Sequence, residues 1–138
     1  MLVAYYHWYL DDTSFPDEVG FPNITVSAGD SIDLFVSSSS DMTGQVTFNN
    51  YSQNQTVTVS LTSPRVICGM SAWWIVQEDV NSPLALGTVN FTDAVALGPS
   101  DSYAMSPEGA TTIIMQDQDQ SLSSVVTGET YMVITYLF

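Results

Sequence analysis

The chain has 138 residues, 45% of them apolar, which suits one ordinary domain with a core of its own. Arg65 is the single basic residue against fifteen Asp and Glu, a formal charge of −14 at neutral pH. A nucleic-acid partner needs a Lys/Arg footprint and an anionic membrane surface needs a basic patch, so neither is expected.

The opening MLVAYYHWYL is apolar, yet it lacks the cationic start and small-residue cleavage site of a signal peptide. It also falls short of the ~18 apolar residues of a membrane span, as does every other run. In an extended conformation Tyr5, His7 and Tyr9 share one face while Tyr6 and Trp8 share the other. One face can join a core while the other offers a stacking platform for peptide or sugar. His7 is the only histidine and no GxSxG elbow accompanies it, so it reads as structural rather than as part of a nucleophilic triad. One His and one Cys cannot make a transition-metal site without carboxylates, and no cofactor signature is present.

Further along, apolar residues recur with period two. SIDLFVS (31–37), GQVTFN (44–49) and QTVTVSL (55–61) each alternate, with Val57, Val59 and Leu61 opposite Thr56, Thr58 and Ser60 in the last. AWWIVQE (72–78) puts Trp73, Ile75 and Gln77 on one face and Trp74, Val76 and Glu78 on the other. LGTVNFTD (86–93), TTIIMQ (111–116) and YMVITYLF (131–138) complete the set, and QDQDQ reads as a solvated hairpin turn, since it lacks the glycine and closing Glu of a calcium loop. SAGD, FNNYSQN, NSP, GPSD and SPEG supply the turns between them. No stretch carries a capped stripe of helical period, and there is no repeat or linker. The expected fold is all-β, an antiparallel sandwich or barrel, as one domain over 1–138.

Asn-x-Ser/Thr sequons begin at Asn23, Asn50, Asn54 and Asn90, four from six asparagines where roughly one or two would arise by chance. They point to a secreted glycoprotein, with Asn50 and Asn54 expected in a turn and Asn90 on the polar side of its strand beside Thr88 and Thr92. Cys68 is the only cysteine, so an internal disulfide is impossible. The strong acidity suits either a solvated, repulsive surface or a life in acid, where carboxylates approach neutrality. Glu78 and Asp79 are neighbours on a strand and point to opposite faces, so they cannot form a catalytic dyad.

Taken in order, AYYHWYL, NITVSAGDSI, VTFNN, ICGMSAWWIVQED, LGTVNFTDAVA, EGATTIIMQ and SVVTGETYMVITY resemble the second part of the fungal glutamic peptidases, the eqolisins. The resemblance implies two packed, mostly antiparallel sheets, a jelly-roll-like β-sandwich, and a secreted acid endopeptidase lineage insensitive to pepstatin. In that family a glutamate is the general base that activates water, and a glutamine amide holds the water and stabilises the oxyanion. The glutamate belongs to a segment of the form Ala-Glu-aromatic-Ile-Val-Glu-Asp. A gap-free register from Cys68 puts Gln77 at the glutamate position, whereas one inserted β-bulge residue would put Glu78 there instead. The family's glutamine, and the cysteine that would partner Cys68, belong to an upstream segment, so the resemblance implies a chain without the family's first strands. Where the family has an acidic residue in its aromatic segment, this chain has His7.

The leading expectation is a secreted, non-catalytic glutamic-peptidase-like sandwich that keeps a peptide- or glycan-facing groove around Tyr5, His7, Tyr9, Trp73 and Gln77. The rivals are an active acid peptidase with Glu78 as base and a second chain supplying the glutamine, and an interaction or immunomodulatory module. Strand edges left unpaired would favour a homodimer.

Overall fold

The computed structural model describes residues 4–6, 19–63, 65–66, 71–76, 87–98 and 103–137, and every regular element among them is a β-strand. All strand pairs among the described residues are antiparallel, the arrangement in which one buried and one solvated face give alternating polarity. The chain divides into two compact units, Met1–Cys68 and Gly69–Phe138.

In the first unit β1 (Tyr5–Tyr6) pairs with β2 (Val19–Gly20), Tyr5 opposite Gly20, and the Phe21 amide donates to the Ala4 carbonyl at 3.0 Å to extend the ladder. The main sheet has the order β3 (Ile32–Ser38), β4 (Thr43–Asn50), β5 (Gln55–Thr62). The register places Val46 opposite Val59 and Phe48 opposite Val57. Val46 and Phe48 are buried, and the Phe21 ring packs on Phe48 with centroids 5.3 Å apart, tilted by 52°. The opposite face is polar: the Thr47 and Thr58 hydroxyls share a hydrogen bond of 2.9 Å, and Asn49 Nδ2 donates to Asp33 Oδ2 at 2.8 Å.

Backbone bonds flanking β3 set the direction of its own amides. The Tyr51 amide donates to the Ser31 carbonyl and the Ser39 amide to the Thr43 carbonyl, so the bonds from β3 to β4 run through Asp33, Phe35 and Ser37. The backbone groups of Ile32, Leu34 and Val36 therefore point away from β4, on a terminal strand of the sheet. Leu34, Phe35 and Val36 are 60%, 62% and 72% exposed, which makes β3 an apolar edge.

In the second unit β11 (Ser123–Thr127), β12 (Met132–Tyr136) and β6 (Thr88–Phe91) form a sheet with β12 in the centre. Among the described residues of this unit, Met132, Ala94 and Pro107 are buried. Two short hairpins accompany it, β7 (Ala96–Leu97) with β8 (Ala104–Met105), and β9 (Gln116–Asp117) with β10 (Gln120–Ser121). The QDQDQ turn is a hairpin as expected, and Gln118 and Asp119 both take positive φ, 44° and 70°, the signature of a type I′ turn. In SPEG the Ala110 amide donates to the Pro107 carbonyl at 3.1 Å across Gly109 at φ 74°, as in a type II turn.

Glycines make room for tyrosine rings at two hairpin ends. The Gly98 amide donates to the Tyr103 carbonyl at 2.8 Å and the Gly128 amide to the Tyr131 carbonyl at 2.9 Å, and in each pair the ring lies where a Cβ on the glycine would be.

Two expected strands differ. Residues 111–115 of TTIIMQ join no strand, and only Gln116 enters a ladder; Ile113 stands 82% exposed. Consecutive Ile113 and Ile114 do not alternate in polarity, and the β9–β10 ladder runs out at Met115, whose carbonyl accepts from the Leu122 amide at 2.8 Å. Residues 71–76, the described part of AWWIVQE, likewise carry no ladder assignment, although their burial alternates with period two.

Candidate functional site

The segment 71–76 is the described residue run nearest to the expected catalytic position. Trp73 and Ile75 are 75% and 59% exposed, while Ala72, Trp74 and Val76 are half-buried. The face assignment read from the sequence for these residues thus agrees with their burial. A stretch that turns an indole and a sec-butyl side chain to solvent presents a surface suited to stacking and apolar contact. Gln77 and Glu78 lie outside the described residues, as do His7, Tyr9 and Cys68; Tyr5 is placed by its backbone in β1.

A second cluster, which the sequence reading treated only as turns, joins the 25–31 loop to the β4–β5 turn. Asn50, at the end of β4, is fully buried, and its Nδ2 donates to Asp30 Oδ2 at 2.7 Å and to the Thr25 carbonyl at 2.8 Å. Its Oδ1 accepts from the Gln53 amide at 3.1 Å. Asp30 Oδ2 also accepts from the Ser27 amide at 2.8 Å, and Oδ1 from Gln53 Nε2 at 3.4 Å. The Thr25 amide and hydroxyl both donate to Gln55 Oε1, at 2.8 and 3.1 Å, and the Ser31 amide donates to Ser52 Oγ at 2.8 Å. The Asn50 and Ser27 donors, followed by Gln53, outweigh partial burial and lower the Asp30 pKa. The signal available in the sequence was Ser27-Ala28-Gly29-Asp30, a four-residue turn in which the Asp30 amide donates to the Ser27 carbonyl at 3.1 Å while the Ser27 amide donates back to the Asp30 carboxylate; Gly29 takes φ 88°.

Asn50, expected in a turn, is the last residue of β4, with both amide hydrogens engaged and no exposed surface. Asn23 and Asn54 are exposed in turns, at φ 56° and 51°, and Asn90 is exposed on β6. Among the described residues no group of three or more His, Cys, Asp or Glu is arranged to hold a metal ion.

Comparison with known proteins places these features in a family. The Peptidase A4 family matches residues 2–136. Aspergillopepsin-2 of Aspergillus niger is 32% identical over 90% of this chain and 47% of its own length. Scytalidopepsin B of Scytalidium lignicola is 30% identical over 88% of this chain and 50% of its own. The chain therefore spans about half the length of these two relatives. Aspergilloglutamic peptidase from Aspergillus niger superposes with a TM-score of 0.77 at 29% identity, covering 98% of this chain and 79% of that one. Scytalido-glutamic peptidase, solved with a peptide-based transition-state analogue, superposes with a TM-score of 0.69 at 23% identity, covering 98% of this chain and 69% of that one, and shares the fold. These likenesses, with the antiparallel strands, show an all-β sandwich.

Proposed function

Because the chain belongs to the peptidase A4 family, the glutamic peptidases, we propose that it is an extracellular glutamic-peptidase-type sandwich that holds an extended peptide against the Trp73–Ile75 face without hydrolysing it. The observation that carries the binding half is the exposure of Trp73 and Ile75 in a segment whose alternate residues Ala72, Trp74 and Val76 are half-buried. An exposed indole on such a segment supplies large contact area at small entropic cost, the property that makes tryptophan a binding anchor.

The loss of hydrolysis rests on chemistry at one position. Water attack on an amide needs a base that takes a proton, and in the gap-free register the family's glutamate is replaced by Gln77, whose amide cannot. The extracellular destination rests on the kinship with fungal peptidases and on the sequons.

A second reading, acid hydrolysis with Glu78 as base, is favoured by the kinship with aspergillopepsin-2 and scytalidopepsin B. It requires the oxyanion-stabilising glutamine from residues beyond this chain, which spans about half of those relatives.

Two measurements decide. Incubation with a denatured protein substrate between about pH 2 and pH 5, with pepstatin present, should give no cleavage, because Gln77 cannot take a proton from the attacking water. Cleavage abolished by Glu78→Gln and unaffected by Gln77→Ala would establish the second reading. Titration of the intrinsic tryptophan fluorescence with an apolar peptide library should show binding that Trp73→Ala weakens by roughly tenfold or more.

A further inference from the structure

The sequons are treated differently by the fold. Asn23 stands exposed in the turn that follows β2, Asn54 closes the β4–β5 turn, and Asn90 faces outward from β6, a terminal strand of its sheet. Asn23 and Asn54 occupy the left-handed region at φ 56° and 51°, which asparagine tolerates in turns better than most residues. None of these three side chains takes part in the hydrogen-bond cluster around Asp30.

Asn50 is the opposite case. The nitrogen that would carry a sugar, Nδ2, spends both hydrogens on Asp30 Oδ2 and the Thr25 carbonyl, and the residue has no exposed surface. N-glycosylation transfers an oligosaccharide from a lipid-linked pyrophosphate donor: the bond from Nδ2 to sugar C1 forms, the bond from C1 to the pyrophosphate oxygen breaks, and the amide gives up one of its two protons. A glycosylated Asn50 would retain one hydrogen for two acceptors, and its sugar would need room inside a closed contact. A nascent chain modified there could not close the link between the 25–31 loop and the β4–β5 turn.

We propose that Asn23, Asn54 and Asn90 are N-glycan acceptors of this chain and that Asn50 stays bare in the folded protein. The Thr25–Gln55 hydrogen bonds bring the neighbourhoods of the first two together, so their glycans would cover one end of the β3–β4–β5 sheet. A glycan on Asn90 would block pairing at the β6 edge with another chain.

The inference rests on the extracellular destination proposed above, and the test separates the two by supplying the secretory route. The chain is secreted from a eukaryotic host behind a cleavable leader, and the folded fraction is deglycosylated by an amidase in heavy-oxygen water and mapped by peptide mass spectrometry. Asn23, Asn54 and Asn90 should convert to labelled Asp in most molecules, and Asn50 should not. Thr25→Ala, Thr56→Ala or Thr92→Ala should each remove one glycan from the intact mass, while Ser52→Ala, which destroys the sequon of Asn50, should leave that mass short only of the hydroxyl oxygen. Labelling of Asn50 in the folded protein, or any of the other three bare in most molecules, overturns the proposal.

Discussion

Asn50 Nδ2 sits 2.7 Å from Asp30 Oδ2, and this bond ties the fully buried end of β4 to a loop twenty residues earlier in the chain. A charged acceptor makes it stronger than a neutral pair, and the burial of Asn50 makes its loss costly. Replacing Asn50 by Ala would strand the Gln53 amide and the Thr25 carbonyl and leave a void. The expected loss is about 2–3 kcal/mol, read as a lower urea midpoint at unchanged slope. Asn50→Asp should cost more at neutral pH, where two carboxylates would face each other, and should recover part of the loss as the pair takes up a proton.

The pH dependence of stability should have two limbs. The folded-state pKa of Asp30 is lowered below its ordinary value of 3.8 by the Asn50 and Ser27 donors, so its contribution is fully present above 3.8 and is lost as pH falls through the lower folded-state value. Repulsion among fifteen carboxylates works in the other direction and eases on acidification. The melting temperature should therefore rise from pH 8 towards about pH 4–5 and fall below about pH 3.8. In Asp30→Asn the fall on the acid side should be shallower. A melting temperature that climbs steadily from about pH 4 to pH 8 would falsify the repulsion argument.

Gly44 and Gly128 should respond unequally to alanine. A Cβ at Gly44 would collide with the carbonyl oxygen of Ser37, a backbone atom of the paired strand that cannot move alone. A Cβ at Gly128 would meet the ring of Tyr131, which is 45% exposed and free to swing outward. Gly44→Ala should cost about 1–3 kcal/mol by chemical denaturation and Gly128→Ala less than about 1 kcal/mol.

The Gln118–Asp119 turn holds two non-glycine residues at positive φ. Asp119→Gly should relieve strain in the left-handed region and stabilise by about 0.5 kcal/mol after the added unfolded-state entropy of glycine is counted. A raised urea midpoint would confirm this, and Asp119→Val should lower it.

The edge of β3 should govern self-association. Ile32, Leu34 and Val36 direct their backbone groups away from β4, and Leu34, Phe35 and Val36 are mostly exposed. At neutral pH the charge of −14 keeps copies apart, so concentration-dependent association by sedimentation should appear on acidification. Leu34→Lys, which adds a charge to the edge, should suppress it without lowering the melting temperature by more than about 1 kcal/mol equivalent.

Alternation along GQVTFN and QTVTVSL was enough to identify two strands and to separate the faces of the second, because successive side chains of a strand point to opposite sides. The family was legible too, in segments such as AWWIV and GTVNFTDA, as was the hairpin turn in QDQDQ. TTIIMQ read equally well as a strand and is not one over 111–115, since a strand exists only where a neighbour offers its hydrogen bonds, and propensity does not reveal the neighbour. The same holds for Asn50. Its sequon is a local pattern of three residues, whereas its burial is decided by Asp30 and Thr25, twenty and twenty-five positions away, which only the folded chain brings to its amide.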